Sequence, residues 1–224
     1  MILEFPPVQN ADKNGLLAIG GDLEVGSLLL AYRSGIFPWP FDEETLAWFS
    51  PPQRAILFFD NFHISRSLEK ARNKTTFTFS IDGDFKGVMR HCAELKNRSR
   101  QHGTWITPDV IESYYKLHKE GCAHSFECYD GEELVGGVYG VSIGKMFAAE
   151  SMFYRRPNAS KFALCNLIDY LKLQGATWID VQVLNPFTQK LGAIDVPRRE
   201  FMKLLKVATG GKETLFPKTA SLKA

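Results

Sequence analysis

The sequence predicts a mixed α+β protein in two parts. A small, loop-rich N-terminal α/β domain spans residues 1–62, and a mixed sheet with flanking helices spans residues 63–224. Three observations carry this. The chain has 224 residues, of which 45% are hydrophobic, enough for one large domain or two small ones. Its first 60 residues are rich in Pro, Gly and aromatic residues. From His63 onward helical spacing alternates with strand patterning, and hairpin-connected strands are followed by a helix and a returning strand.

In the first part, Asn14-Gly15 and Gly20-Gly21 signal turns. Residues 26–33 (GSLLLAYR) read as a short helix that stops near Gly35. Two prolines bar residues 35–41 (GIFPWPF) from a regular helix or a central strand. Ser50-Pro51-Pro52 closes this part, and residues 54–59 (RAILFF) read as a strand. In the second part, residues 65–74 form a helix with Ser65 as its N-cap. Phe77, Phe79 and Ile81 alternate with Thr78 and Ser80 as in a strand, and residues 83–96 look helical. Thr107 caps a helix with Pro108 at its first position, running to about Lys119 and stopping at Gly121. Residues 124–129 are a strand, Asp130-Gly131 a hairpin turn, and 134–141 a strand broken by glycines. Then come a strand (145–153), a long helix (158–174) ended by Gly175, an apolar strand (177–183) and a last helix (198–207). This order is compatible with an N-acyltransferase sheet of the GNAT type, although a fold alone does not give a function.

Composition narrows the classes. No run of 18 apolar residues exists, and Glu4, Pro6 and Pro7 stand where a signal peptide needs an apolar core. No membrane span and a cytoplasmic location are therefore expected. Cys92, Cys122, Cys128 and Cys165 show no CxxC pairing, and the five histidines show no HExxH or HxH pattern. Neither a disulfide framework nor a metal site is expected, and nothing demands more than a monomer. The net charge of +2 hides an asymmetry. Residues 1–62 hold 3 Lys and Arg against 8 Asp and Glu, a net of −5. Residues 63–100 hold 9 against 4, a net of +5.

That basic block is the first candidate feature. Arg66, Lys70, Arg72 and Lys74 lie on one helix and its exit, followed by Arg90, Lys96, Arg98 and Arg100. A solvated face explains such a run. Two successive clusters also suit a structured RNA held by its phosphates. The second feature is a set of polar residues in apolar surroundings. Glu150 lies in KMFAAESMF and must find a partner or take up a proton. Asp180 and Gln182, two apart in TWIDVQVLN, point to one face of a strand. Either they mark the exposed face of an edge strand, or they form a polar patch, extended by Asn185, that orients an amine and a carbonyl. Ser151 lacks a GxSxG elbow, so no covalent intermediate is expected. Third, Trp39, Trp48 and Phe49 sit in a part with little core of its own and are candidates for stacking on a base.

Taken together, these segments resemble a known family. GLLAIGGDL (15–23), AYRSGIFPW (31–39), WFSPPQR (48–54), HISRSL (63–68), GTWIT (103–107) and LHKEGCAHSFE (117–127) occur in the order found in bacterial leucyl/phenylalanyl-tRNA–protein transferases. LVGGVYG (134–140), ESMF (150–153), NASK (158–161), IDVQVLN (179–185), LGA (191–193) and PRREF (197–201) continue it.

The resemblance implies a small N-terminal domain joined to a GNAT-like domain. It implies transfer of Leu or Phe, less readily Met, from the acceptor stem and 3′ end of Leu-tRNA or Phe-tRNA. The acceptor would be a protein with N-terminal Arg or Lys, which is thereby marked for N-degron degradation. No metal or cofactor is implied. Asp180, Gln182 and Glu150 would be catalytic: Gln182 on the ester, Asp180 on the attacking amine, Glu150 on the donor α-amino group. Val138, Phe147, Met152, Leu164 and Ile179 would form the amino-acid pocket. Trp48, Phe49 and Trp105 would flank the terminal adenosine, and Arg66, Lys70, Arg72 and Lys74 would bind tRNA. The sequence departs from relatives in having Phe49 for Trp, Ala149 for Gly, Val138 for a larger residue, and Pro186-Phe187 for Asp-His. A small-molecule acetyltransferase is the competing enzyme reading, yet the glycine-rich pyrophosphate loop of that class is missing before residue 158. A non-enzymatic RNA-binding protein is the other.

Overall fold

A computed structural model describes residues 1–41, 45–94 and 104–217. Lys96, Arg98 and Arg100 lie outside the described residues.

Two sheets organise the chain. The smaller has β1 (Leu16–Ile19), β2 (Phe37–Pro38) and β3 (Ala47–Phe49) in the order β1-β3-β2, all antiparallel. Pro38, which has no N–H to donate, sits on an edge strand. The larger has β4 (Gln53–Phe58), β5 (Thr78–Ile81), β6 (Ala123–Asp130), β7 (Glu133–Ile143), β8 (Met146–Tyr154), β9 (Trp178–Gln182) and β10 (Ile194–Pro197). Its order is β10-β4-β9-β8-β7-β6-β5, antiparallel throughout except for the β8–β9 pair. This is the mixed sheet that the sequence predicts.

The helices are α1 (Val25–Arg33), α2 (Arg66–Arg72), α3 (Phe85–Ala93), α4 (Pro108–Lys119), α5 (Ala159–Leu173), α6 (Pro186–Lys190) and α7 (Arg198–Thr209). Ser65 and Thr107 cap α2 and α4 as expected, accepting from the N–H of Leu68 (3.2 Å) and Val110 (3.3 Å). Gly131 turns the β6–β7 hairpin at φ +63°. Gly136 lets α5 lie against β7, since a Cβ there would come within 2.6 Å of the Ala159 Cβ.

Alternate residues of the large sheet feed two cores. On one face Tyr139, Val141 and Ala148 pack with α1, α3, α4 and α7 through Leu28, Val88, Leu117 and Phe201. On the other face Val138, Phe147 and Ile179 pack with α5 through Ala163, Leu164 and Leu167. The first core also takes in Ile36, Phe37 and Trp48. Of residues 1–62, β4 lies inside the large sheet, and Ile36, Phe37 and Trp48 belong to the core cluster of its first face.

Three features escaped the sequence reading. β1 to β3 are too short to show a period, and β10 follows a five-residue helix, α6, that reads as loop. The strand bearing Asp180 and Gln182 is not an edge strand but lies between β4 and β8.

Candidate active site

The site forms where the large sheet's parallel pair, the only one among the described residues, comes apart. β8 and β9 are in register at Ala148 and Asp180. Each then carries an irregularity. Between β7 and β8 the register passes from Tyr139↔Ser151 to Gly140↔Ala149, which leaves Glu150 as an extra residue. Between β4 and β9 it passes from Ala55↔Gln182 to Ile56↔Asp180, which leaves Val181 extra. Bulges of this kind bend a strand and re-aim side chains. Gln182 takes φ +62°, a left-handed backbone that costs an ordinary residue about 1–3 kcal/mol.

Asp180 explains how that conformation is held. Its Oδ1 accepts from the Gln182 N–H at 2.8 Å. The same carboxylate meets Arg54, whose Nε donates to Oδ1 at 2.9 Å and whose Nη2 donates to Oδ2 at 2.7 Å. Arg54 and Asp180 are 2% and 1% exposed. The guanidinium lies between the rings of Phe37 (4.6 Å) and Phe201 (4.7 Å).

Gln182 then reaches across the gap. Its Nε2 donates to Glu150 Oε1 at 2.8 Å. The Tyr32 hydroxyl donates to the same oxygen at 2.8 Å. Tyr32 spends its proton there, so the Tyr114 hydroxyl, 2.6 Å away, donates to Tyr32. Burial pushes the Glu150 carboxyl up to about 7, with the Asp180 charge adding to the rise. The hydrogen bonds from Tyr32 and Gln182 oppose it. Both tyrosines are held well above their ordinary range, by burial first and by the Glu150 charge second.

Beside Glu150 opens a cavity of about 260 Å³ whose walls include Val138, Met152, Leu164, Val181 and Phe187. Three of the five residues expected in an amino-acid pocket are thus present. Phe147 and Ile179 lie behind it, fully buried in the core under α5.

The other candidates separate. Trp48 is a core residue: it is 1% exposed, packs edge-on against Phe5, and donates from Nε1 to the Gly20 carbonyl at 2.9 Å. It offers no face to a base. Trp105 is also buried, at 7% exposure, and pairs with half-buried Trp39 at a centroid distance of 6.2 Å, while half-buried Phe49 stacks on Phe37. On α2 and just beyond its end, Arg66, Lys70 and Lys74 are exposed. Arg72 is engaged, its Nη2 lying 2.6 Å from Asp169 Oδ2 and 2.9 Å from Asn166 Oδ1.

Sequence reading missed Arg54, Tyr32 and Tyr114. Arg54 had a signal, since an arginine in an apolar strand must find a partner. It also missed a second polar cluster, Asp82, His118 and His124, brought together by the fold. His124 contacts Asp82 Oδ2 at 2.7 Å and the Gly121 carbonyl at 3.2 Å, and His118 Nδ1 contacts the Ala123 carbonyl at 2.8 Å. Those nitrogens are taken up by hydrogen bonds of the fold.

Against this geometry the relatives can be set. The profile described as Leucyl/phenylalanyl-tRNA protein transferase matches residues 56–206, and that of its N-terminal domain matches residues 21–52. The chain belongs to the leucyl/phenylalanyl-tRNA protein transferase family. It is a transferase by that membership. The family member from Flavobacterium johnsoniae is 47% identical over 204 residues, covering 91% of this chain and 96% of its own. That from Pseudoalteromonas atlantica is 48% identical over 208 residues, covering 92% and 88%. Among solved structures, FemX aligns with 80% of this chain and 70% of its own at 13% identity and a TM-score of 0.49. No described helix is long and apolar enough to cross a membrane.

Proposed function

We propose that this protein moves Leu or Phe, less readily Met, from aminoacyl-tRNA onto the N-terminal Arg or Lys of acceptor proteins, marking them for N-degron degradation. The observation that carries the reading is the mainly apolar cavity beside Glu150, whose carboxylate Gln182 holds, in a chain of this family. The donated side chain enters between Val138, Met152 and Leu164. An adaptable Met on an apolar wall separates Leu, Phe and Met only weakly, since one methylene is worth ~1–3 kcal/mol. The donor α-amino group lies at Glu150.

The ester is already activated, so positioning and a proton path suffice, and no metal or cofactor is required. The C–N bond forms as the ester C–O bond breaks, and the attacking nitrogen's proton ends on the 3′ oxygen of the terminal adenosine. Glu150, poised near neutrality, can take and return such a proton. The Gln182 carbonyl can accept from the amine. Asp180 was expected to hold that amine itself. With both oxygens engaged by Arg54 and Gln182, and no exposure, it acts instead through Gln182. Half-buried Trp39 and Phe49 supply the stacking surface for the adenosine, backed by buried Trp105 and without Trp48. Arg66, Lys70 and Lys74 face the acceptor-stem phosphates. A groove of about 650 Å³ lined by Asp22, Glu24, Asp109 and Glu112 against one cation, Lys116, suits a cationic acceptor terminus, with Asp22 and Glu24 paired to the Met1 ammonium in its absence. The protein works as a cytoplasmic monomer, where charged tRNA is found.

The test is incubation with Phe-tRNA or Leu-tRNA and a peptide beginning with Arg, read as an N-terminal mass gain of one residue. Absence of transfer to any acceptor beginning with Arg, Lys, Asp or Glu overturns the reading.

A further inference from the structure

A second, larger cavity adjoins the first. It measures about 470 Å³ and is walled by Tyr154, Pro157, Asn158 and Lys161 together with Met152 and Phe187. Met152 and Phe187 also line the smaller cavity beside Glu150. Two side chains therefore border both spaces, Met152 from β8 and Phe187 from α6.

Phe187 is the more specific of the two. It is half-buried, and α6, which carries it, buries none of its residues fully. Its position is nevertheless defined. Asn185 Oδ1 accepts from the N–H of Phe187 (2.9 Å) and of Thr188 (3.0 Å), and Thr188 Oγ1 accepts from the Asn185 N–H (3.1 Å). This reciprocal cap anchors the start of α6 three residues beyond Gln182. The chain thus leads from the left-handed Gln182 directly into a side chain that lines the smaller cavity. The larger cavity is mainly apolar, and Lys161 sets one cation in its wall. A cation beside apolar walls favours an aromatic ring over an aliphatic chain.

We propose that Phe187, backed by Met152, is the partition that limits the length of the donated side chain. The cavity behind it is latent room for a bulky aromatic group such as an indole. The proposal rests on the function given above and names what sets its donor range.

The experiment compares the unaltered protein with Phe187→Ala and Phe187→Leu. Two readouts are taken with Leu, Phe and Trp donors. One is kcat/KM for transfer from charged tRNA to an Arg-initiated peptide. The other is calorimetric affinity for non-hydrolysable 3′-aminoacylamino-adenosine analogues carrying the same side chains. Removing the ring should raise the Trp-to-Leu ratio at least tenfold in both, because a change of one methylene in an apolar pocket already shifts discrimination about 10–200-fold. Phe187→Leu should lie between. Leu transfer that persists in Phe187→Ala with an unchanged Trp-to-Leu ratio overturns the partition alone. Unaltered protein that transfers nothing but binds the analogues overturns the transferase reading, and the affinity ratio still decides the partition. Unaltered protein that neither transfers nor binds them overturns both.

Discussion

The polar centre has two halves built in opposite ways. In the inner half, Arg54 and Asp180 neutralise each other as a bidentate pair sealed between Phe37 and Phe201. In the outer half, Glu150 is offered only neutral donors, Tyr32 and Gln182, and its carboxyl rises to about 7. The difference separates holding from reacting. A carboxylate matched by a guanidinium serves as an anchor. A carboxylate with no cation bonded to it, and only the more distant Arg54 charge opposing its rise, is poised between its two forms. Removing one partner of a buried pair strands a charge, at a cost of about 3–5 kcal/mol. Arg54→Met should therefore lower unfolding stability by that amount in urea titrations. Arg54→Met combined with Asp180→Leu should recover most of the loss, because apolar replacements of similar size suit the site. Transfer should stay impaired, since the Gln182 N–H then lacks its acceptor. A single variant within about 1 kcal/mol of the unaltered protein would remove the anchor from this picture.

The outer half predicts a dependence on pH. The Glu150 carboxyl has a native value of about 7 against an ordinary 4.5. Its protonated form is favoured by the fold, so its contribution to stability is complete below pH 4.5 and fades as pH rises through 7. The span is on the order of 3 kcal/mol. Activity should run the other way, because the proton-accepting form appears over the same range. Across pH 4.5 to 8, Glu150→Gln should lack this fall in stability. It should show a flatter kcat profile, lowered about a hundredfold. Equal pH slopes of stability in the two proteins would assign Glu150 to packing alone.

How much of this was legible in the sequence follows the same division. Helix starts are local chemistry, so Ser65 and Thr107 could be recognised as caps from their own neighbours. Asp180 and Gln182 stood out because they interrupt an apolar strand. Their partners did not, because Arg54 is 126 positions from Asp180 and Tyr32 is 118 from Glu150. Pairings over such separations are made by the sheet order. The bulges at Glu150 and Val181 are invisible for a related reason: an extra residue shows only against the partner strand. Trp48 misled because aromatic residues in a Pro-rich stretch look coreless. Their core is shared with α3, α4 and the large sheet, elements that lie later in the chain.

The basic helix repeats the contrast on the surface, with smaller effects. Arg72 is tied to Asp169 and Asn166, whereas Arg66, Lys70 and Lys74 extend into solvent. If pairing separates holding from meeting a substrate here too, the four residues should not behave alike. Each cation that neutralises a phosphate contributes about 0.7–0.9 to the slope of log K against log salt. Replacing Arg66, Lys70 and Lys74 together by Ala should flatten the slope for tRNA binding by about 2–3. Arg72→Ala should leave the slope nearly unchanged and lower stability by no more than about 1 kcal/mol, as for a half-exposed pair. Filter binding across a salt series measures the first effect and thermal unfolding the second. A slope that responds as strongly to Arg72 as to Lys70 would mean that tRNA breaks the Asp169 pair. An unresponsive slope would make α2 a solvated face.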